Sequence, residues 1–148
     1  MRIEFFVPGR PGPSGSLSSY HNKKTGKHIA APASRYKKPW MQAVTAFAMM
    51  AYRGKLLTGP ISLSVEFVLK RPNEDWGTGK NKDKLKDSAS KYHLKPPDLH
   101  KLIRSTEDAL TGVIWNDDKQ VVTSSLLKRY VNSKEEKTGA LIVVEELV

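Results

Sequence analysis

Polar and apolar positions alternate along this chain in two different periods, and each change of period marks an element. Residues 2–7 (RIEFFV) read as a strand. The run PGRPGPSGS ends it, because Gly9, Gly12, Gly15 and three prolines leave no room for regular structure. Residues 20–29 (YHNKKTGKHI) read as a short hairpin turning at Thr25-Gly26, with His21 and His28 flanking Lys23, Lys24 and Lys27. Those lysines suit either a solvated turn or a finger that contacts phosphates.

The period then lengthens. In SRYKKPWMQAVTAFAMMAYR the apolar positions Trp40, Ala43, Val44, Phe47, Met50 and Ala51 follow the i, i+3, i+4, i+7 spacing of an amphipathic helix. Pro39 fits in its first turn, so the expected helix runs from Pro39 to Arg53 and stops at Gly54. Met49 and Met50 are expected to fill the core. The next run, ISLSVEFVL from Ile61, alternates with period two and predicts a half-buried strand.

Residues 70–97 are polar, lysine-rich and almost without periodicity. They predict a long connecting arm, mobile and suited to gripping phosphates through Lys80, Lys82, Lys84, Lys86, Lys91 and Lys95. Leu99 to Thr111 reads as a second helix with an apolar stripe of Leu99, Leu102, Ile103, Thr106, Leu110 and Val113. Asp98 sits at its N-cap position and Gly112 closes it. Strands are expected over 120–131 and 140–147, joined by the polar turn NSKEEKTG. This order predicts a single α+β domain over 1–148, a mixed β-sheet with two main helices packed on one face.

Composition narrows the class. With 148 residues, 39% of them hydrophobic, the chain can build one real core. It has no cysteine, which excludes disulfides and thiolate metal sites. No apolar run approaches the roughly 18 residues that span a bilayer, and the first residues lack the pattern of a signal peptide, so a cytoplasmic protein without membrane contact is expected. Twenty-five Lys and Arg against fifteen Asp and Glu, a formal charge of +10, point to a polyanionic partner.

Against that basic background, Asp98, Glu107, Asp108, Asp117 and Asp118 crowd around one histidine, His100, with Lys101 and Arg104 between them. Carboxylates are hard ligands suited to Mg²⁺, and a metal beside lysines could neutralise one phosphate of a bound polyanion. The plain alternative makes Asp98 a helix cap and Asn116-Asp117-Asp118 a turn. A helix of about 13 residues would hold its two ends roughly 20 Å apart. Asp98 and Asp118 therefore meet only if the following strand runs back beside the helix start, or if a second subunit supplies one of them.

The stretch KPPDLHKLIR, followed by DALTGVIWNDDKQVV, resembles the signature of the RusA family of Holliday junction resolvases, found in bacteriophages and prophages. The opening FFVPGRPGPS and the strand LLKRYV agree more loosely. The resemblance implies a RusA-like fold and a homodimeric, Mg²⁺-dependent endonuclease in a bacterial cytoplasm. Such an enzyme nicks four-way DNA junctions symmetrically. Position by position, it implies catalytic roles for Asp98 and Asp118, with Arg104 in the place of a catalytic basic residue. It also implies DNA contacts from Lys23, Lys24, Lys27, Lys101 and the lysines of the long arm.

One position departs from the pattern. His100 stands where the family carries a second aspartate, and a neutral nitrogen donor suits Mg²⁺ badly. Three accounts follow: a site shifted toward Mn²⁺ with His100 as a ligand or general base, a substitute carboxylate from Glu107 or Asp108, or weakened or lost catalysis in a protein that still binds junctions.

Overall fold

The computed structural model describes residues 1–15, 17–32 and 34–148, with the backbone alone over 17–21 and 28–32. Strand β1 (Arg2–Pro8) precedes a hairpin of β2 (Leu17–Asn22) and β3 (Lys27–Pro32). Helix α1 (Lys37–Ala51), strand β4 (Ile61–Leu69), helix α2 (Leu99–Leu110) and strands β5 (Val121–Tyr130) and β6 (Gly139–Glu146) follow. The main sheet has the order β1-β6-β4-β5, with β4 and β5 parallel and the other pairs antiparallel. It is an α+β fold with a mixed four-stranded sheet.

Parallel neighbours need a crossover. Here it is the long connection after β4 together with α2, which returns the chain to the edge of the sheet. Alternation along β4 decides which face is covered: Ile61, Leu63, Val65 and Phe67 are buried, while Ser62, Ser64 and Glu66 are only partly so. The helices bring Trp40, Val44, Ala48, Leu102 and Leu110 onto this core, and β6 adds Ile142 and Val144. Each fully buried Val, Leu or Ile side chain among them contributes about 1.5–3 kcal/mol. Trp40 and Trp115 are both buried in this core.

α1 starts two residues earlier than its sequence pattern predicts and ends at Ala51. Pro39 remains in the first turn, where a missing N–H costs nothing. Met49 and Met50 depart from expectation. They are 58% and 60% exposed, because the buried positions of α1 are Trp40, Val44 and Ala48 and its last turn points the methionines away from the sheet. α2 ends as the sequence predicts: Gly112 takes φ +80°, the left-handed conformation that halts a helix at no steric cost.

The Pro/Gly run after β1 is pinned rather than loose. Ser14 N–H donates to Lys101 O (2.9 Å), and Ser105 Oγ donates to Gly12 O (2.6 Å). The long lysine-rich connection is also tied to the body. Buried Arg71 donates to Val131 O (2.5 Å), Ser90 O (2.6 Å) and Asp75 Oδ2 (3.1 Å). Trp76 packs on Val68, Val131 and Leu85, so it is a packing residue of this connection. None of these anchors has a periodic signature, because irregular backbone is fixed by single long-range contacts rather than by a repeating face.

Candidate active site and nucleic-acid interface

Asp98 occupies the N-cap position of α2, but its carboxylate makes no capping hydrogen bond. It stands exposed beside Lys101, with Nζ 3.7 Å from Oδ2, and close to Lys128. Lys128 reaches across from β5 and donates to Lys95 O (3.0 Å) and Pro97 O (2.9 Å). Burial holds its ammonium below the usual lysine range, and the nearby Asp98 carboxylate partly opposes that shift. The sequence motif LLKRYV contained Lys128, but nothing local marked it as a neighbour of Asp98, 30 residues upstream.

His100 and Arg104 follow on the exposed side of α2, one turn apart. Arg104 lies close enough to Asp108 to favour its charged form. At the far end of the helix the turn Asn116–Gln120 divides its two aspartates. Asp117 is structural: it accepts from Lys119 N–H (3.0 Å) and forms a capping box with Gln120, whose side chain accepts from Asn116 and Asp117 N–H (both 2.9 Å). Asp118 is exposed and accepts from Thr111 Oγ1 and, more weakly, from Trp115 Nε1 (3.5 Å).

Asp118 thus closes an acidic group with Glu107 and Asp108. Burial, first, and then the Asp118 carboxylate raise both of their pKa values above the ordinary 4.5 and 3.8. Lys37 and Arg104 partly offset the repulsion at Asp108, and both carboxylates belong to the acidic cluster that the sequence already displays.

Asp98 and Asp118 stand at opposite ends of α2, whose 12 residues span about 18 Å. They do not meet within one chain. Among the described residues, no group of three His, Asp or Glu side chains is placed to hold a metal ion. The donor set Asp98, His100 and Asp118 therefore does not fit a cation inside a single protomer.

The candidate DNA contacts lie on the surface. Lys80, Lys82, Lys84, Lys86, Lys91 and Lys95 are all exposed along the connection before α2, and Lys101 is exposed on α2. Lys23, Lys24 and Lys27 surround the turn of the β2–β3 hairpin and are exposed; the side chains of His21 and His28 lie outside the described residues. No helix among the described residues is long and apolar enough to cross a membrane.

A cavity of about 510 Å³ opens directly beside Asp98, walled by Pro11, Pro13, Pro96, Pro97 and Tyr36. The Arg10 guanidinium lies 3.6 Å from the centroid of the Tyr36 ring.

The profile of the endodeoxyribonuclease RusA family matches residues 8–143. The chain is also 32% identical over 145 residues to the uncharacterized protein YqaN of Bacillus subtilis (strain 168), an alignment that covers 95% of this chain and 94% of that protein. The exposed aspartate at the start of α2, the aspartate tied to its end and the extent of the match lead to one assignment: the chain belongs to the RusA family, endodeoxyribonucleases that resolve Holliday junctions.

Proposed function

We propose that this protein cleaves four-way DNA junctions as a metal-dependent homodimer, with Asp98 and His100 of one copy and Asp118 of the other forming each active site. The observation that carries this reading is the placement of the two aspartates at opposite ends of one helix. A site that uses both must be built from two copies.

The sheet supports one way for the copies to meet. β5 is an edge strand whose first seven residues, VVTSSLL, carry no charge, and Val122 through Ser125 are exposed. Uncharged, exposed edges of this kind invite strand addition. α2 runs against β5, so that Asp98 lies by Lys128 while Asp118 precedes Val121. An antiparallel β5–β5 pair centred on Thr123 sets Lys128 of one copy opposite Asp118 of the other. The N-terminal end of each α2 then faces the acidic end of its mate.

A bound Mg²⁺ or Mn²⁺ would polarise the attacked phosphate and lower the pKa of an attacking water. The chain's own residues do the remainder. Lys128 and Lys101 place positive charge around Asp98, where a phosphate must approach a carboxylate. Arg104 offers a fork of N–H donors to the phosphate oxygens. The lysines of 80–95 and 23–27 hold the DNA arms, so affinity should fall steeply with salt.

His100 favours a second reading, a junction-binding protein with weakened catalysis, because an imidazole there lowers the negative charge offered to Mg²⁺. Incubation with a synthetic four-way junction in Mg²⁺, then Mn²⁺, separates the two. The enzyme reading expects paired nicks that Asp98→Asn and Asp118→Asn abolish while band shifts persist. Binding without nicks in either metal, with cleavage restored by His100→Asp, favours the weakened enzyme. Intact cleavage in both Asn variants would sink the site.

A further inference from the structure

The cavity beside Asp98 is more than a cleft between loops. Its walls are fixed from three sides. Ser105 Oγ and Ser14 N–H tie the Gly12–Ser14 backbone to α2. Gly12 presses so closely on the start of α1 that a Cβ there would lie 2.1 Å from Tyr36 O. On the other flank Lys128 holds the carbonyls of Lys95 and Pro97. The space between these anchors is preformed, about 510 Å³, and the prolines and Tyr36 make it mainly apolar.

Its polar groups are confined to a few places. The Arg10 guanidinium stacks on the Tyr36 ring, and Arg35 Nη2 donates to the Tyr36 hydroxyl (2.7 Å). These contacts fix the ring and present a flat, cationic platform at the mouth of the cavity. Lys101 and Asp98 also line it. An apolar slot with a flat stacking wall, basic side chains in its lining and a volume ample for a whole nucleotide is a receptor for an aromatic group that carries an anionic tether. A nucleotide is such a group.

We propose that this cavity receives one unstacked nucleobase of the bound DNA, from the nucleotide next to the phosphate at Asp98. The inference rests on the reading of Asp98 as lying at the cleaved phosphate. The base stacks on the Arg10–Tyr36 platform between the proline walls, while Lys101 and Arg10 contact the flanking phosphates. Branch points suit this arrangement, because bases there are already partly unstacked and cost less to turn out of the helix than bases within a duplex. The cavity also gives the enzyme a means to prefer one base beside the cut, which no lysine contact to the backbone can provide.

The test is a scan of single abasic nucleotides, placed in turn around the branch point of a four-way junction and of a forked duplex. Affinities are measured without divalent cation, so that no cleavage intervenes. Wild-type protein should show one position per strand where loss of the base weakens binding on the order of 10-fold, the effect of one base–aromatic stack. In Tyr36→Ala that positional penalty should disappear and the intact DNA should bind on the order of 10-fold more weakly. Arg10→Gln should show a reduced penalty at the same position. Both side chains are peripheral to the core, and unchanged thermal unfolding of the variants keeps the comparison fair. A flat scan in the wild type, or a penalty that survives in both variants, overturns the pocket. The ratio of junction to duplex affinity reads the proposed function separately: a protein with no junction preference but a Tyr36-dependent penalty on the fork keeps the pocket and loses the junction reading.

Discussion

Thr111 donates its hydroxyl to Asp118 across the turn that leaves α2, which fixes this aspartate at the opposite end of the helix from Asp98. The separation makes a sharp genetic test possible. In a mixed dimer of Asp98→Asn and Asp118→Asn copies, a composite arrangement leaves one site with both substitutions and the other with none. The mixture should therefore recover nicking of one strand, and only one, although each variant alone is inactive. Sites built within single chains would recover nothing. Gel analysis of a junction labelled on each strand distinguishes these outcomes.

The acidic end of α2 predicts a pH effect on stability. Glu107 and Asp108 have raised pKa values in the folded protein, first through burial and then through repulsion by Asp118. A raised acid binds protons more readily folded than unfolded, so its contribution favours folding at low pH and is lost as pH rises through the folded pKa. Glu107→Gln should consequently raise the Tm at pH 8. The gain should shrink as pH falls toward 4.5, the ordinary value for glutamate. A Tm difference independent of pH would show that Glu107 pays no such penalty.

Arg129 makes the opposite case. Its guanidinium, mostly buried, bonds Glu66 (2.6 Å) on one side and both oxygens of Glu136 (2.8 and 2.7 Å) on the other. Glu136 is held below the usual carboxylate range by these bonds, so this stability is present above its unfolded pKa and is lost as pH falls through the folded one. Arg129→Ala should cost about 2 kcal/mol at neutral pH, discounted for the partial exposure of both glutamates. Chemical denaturation at pH 7 and pH 3 should show the loss at the first and a much smaller one at the second.

These tests bear on features of unequal legibility. Element order, the α+β class and the buried stripe of α2 follow from periodicity, because a helix or strand that covers one core repeats its apolar positions. Met49 and Met50 escape that logic: apolar and next to the stripe, they follow buried Ala48 but lie off the buried face of α1. The aspartates were legible as residue types, and their motif named the family. Their separation was legible too, from helix length alone. What no local pattern carries is the fixed connection around Arg71, the approach of Lys128 to Asp98, and the Arg10–Tyr36 platform. Each rests on one side chain that reaches residues far away in sequence, and such isolated contacts leave no period.

The pairing of copies offers the last test. If Lys128 faces Asp118 of the second copy, positions along the two β5 strands sum to a constant, and Thr123 lies opposite its own counterpart. The chain has no native cysteine, so an introduced thiol reports without interference. Thr123→Cys should form a disulfide-linked dimer on mild oxidation, because directly opposed positions in an antiparallel pair bring Cβ atoms within reach of a disulfide. Cysteines introduced on the far edge, as at Glu4 in β1, should not cross-link. Replacing Thr123 with proline instead removes a strand donor and should shift the protein toward monomer in sedimentation. Junction nicking should then fall with dimer content, while the Tm, set by the core of each chain, moves far less. Cross-linking through β1 but not β5 would place the interface on the opposite edge of the sheet and leave the two aspartates unable to share a site.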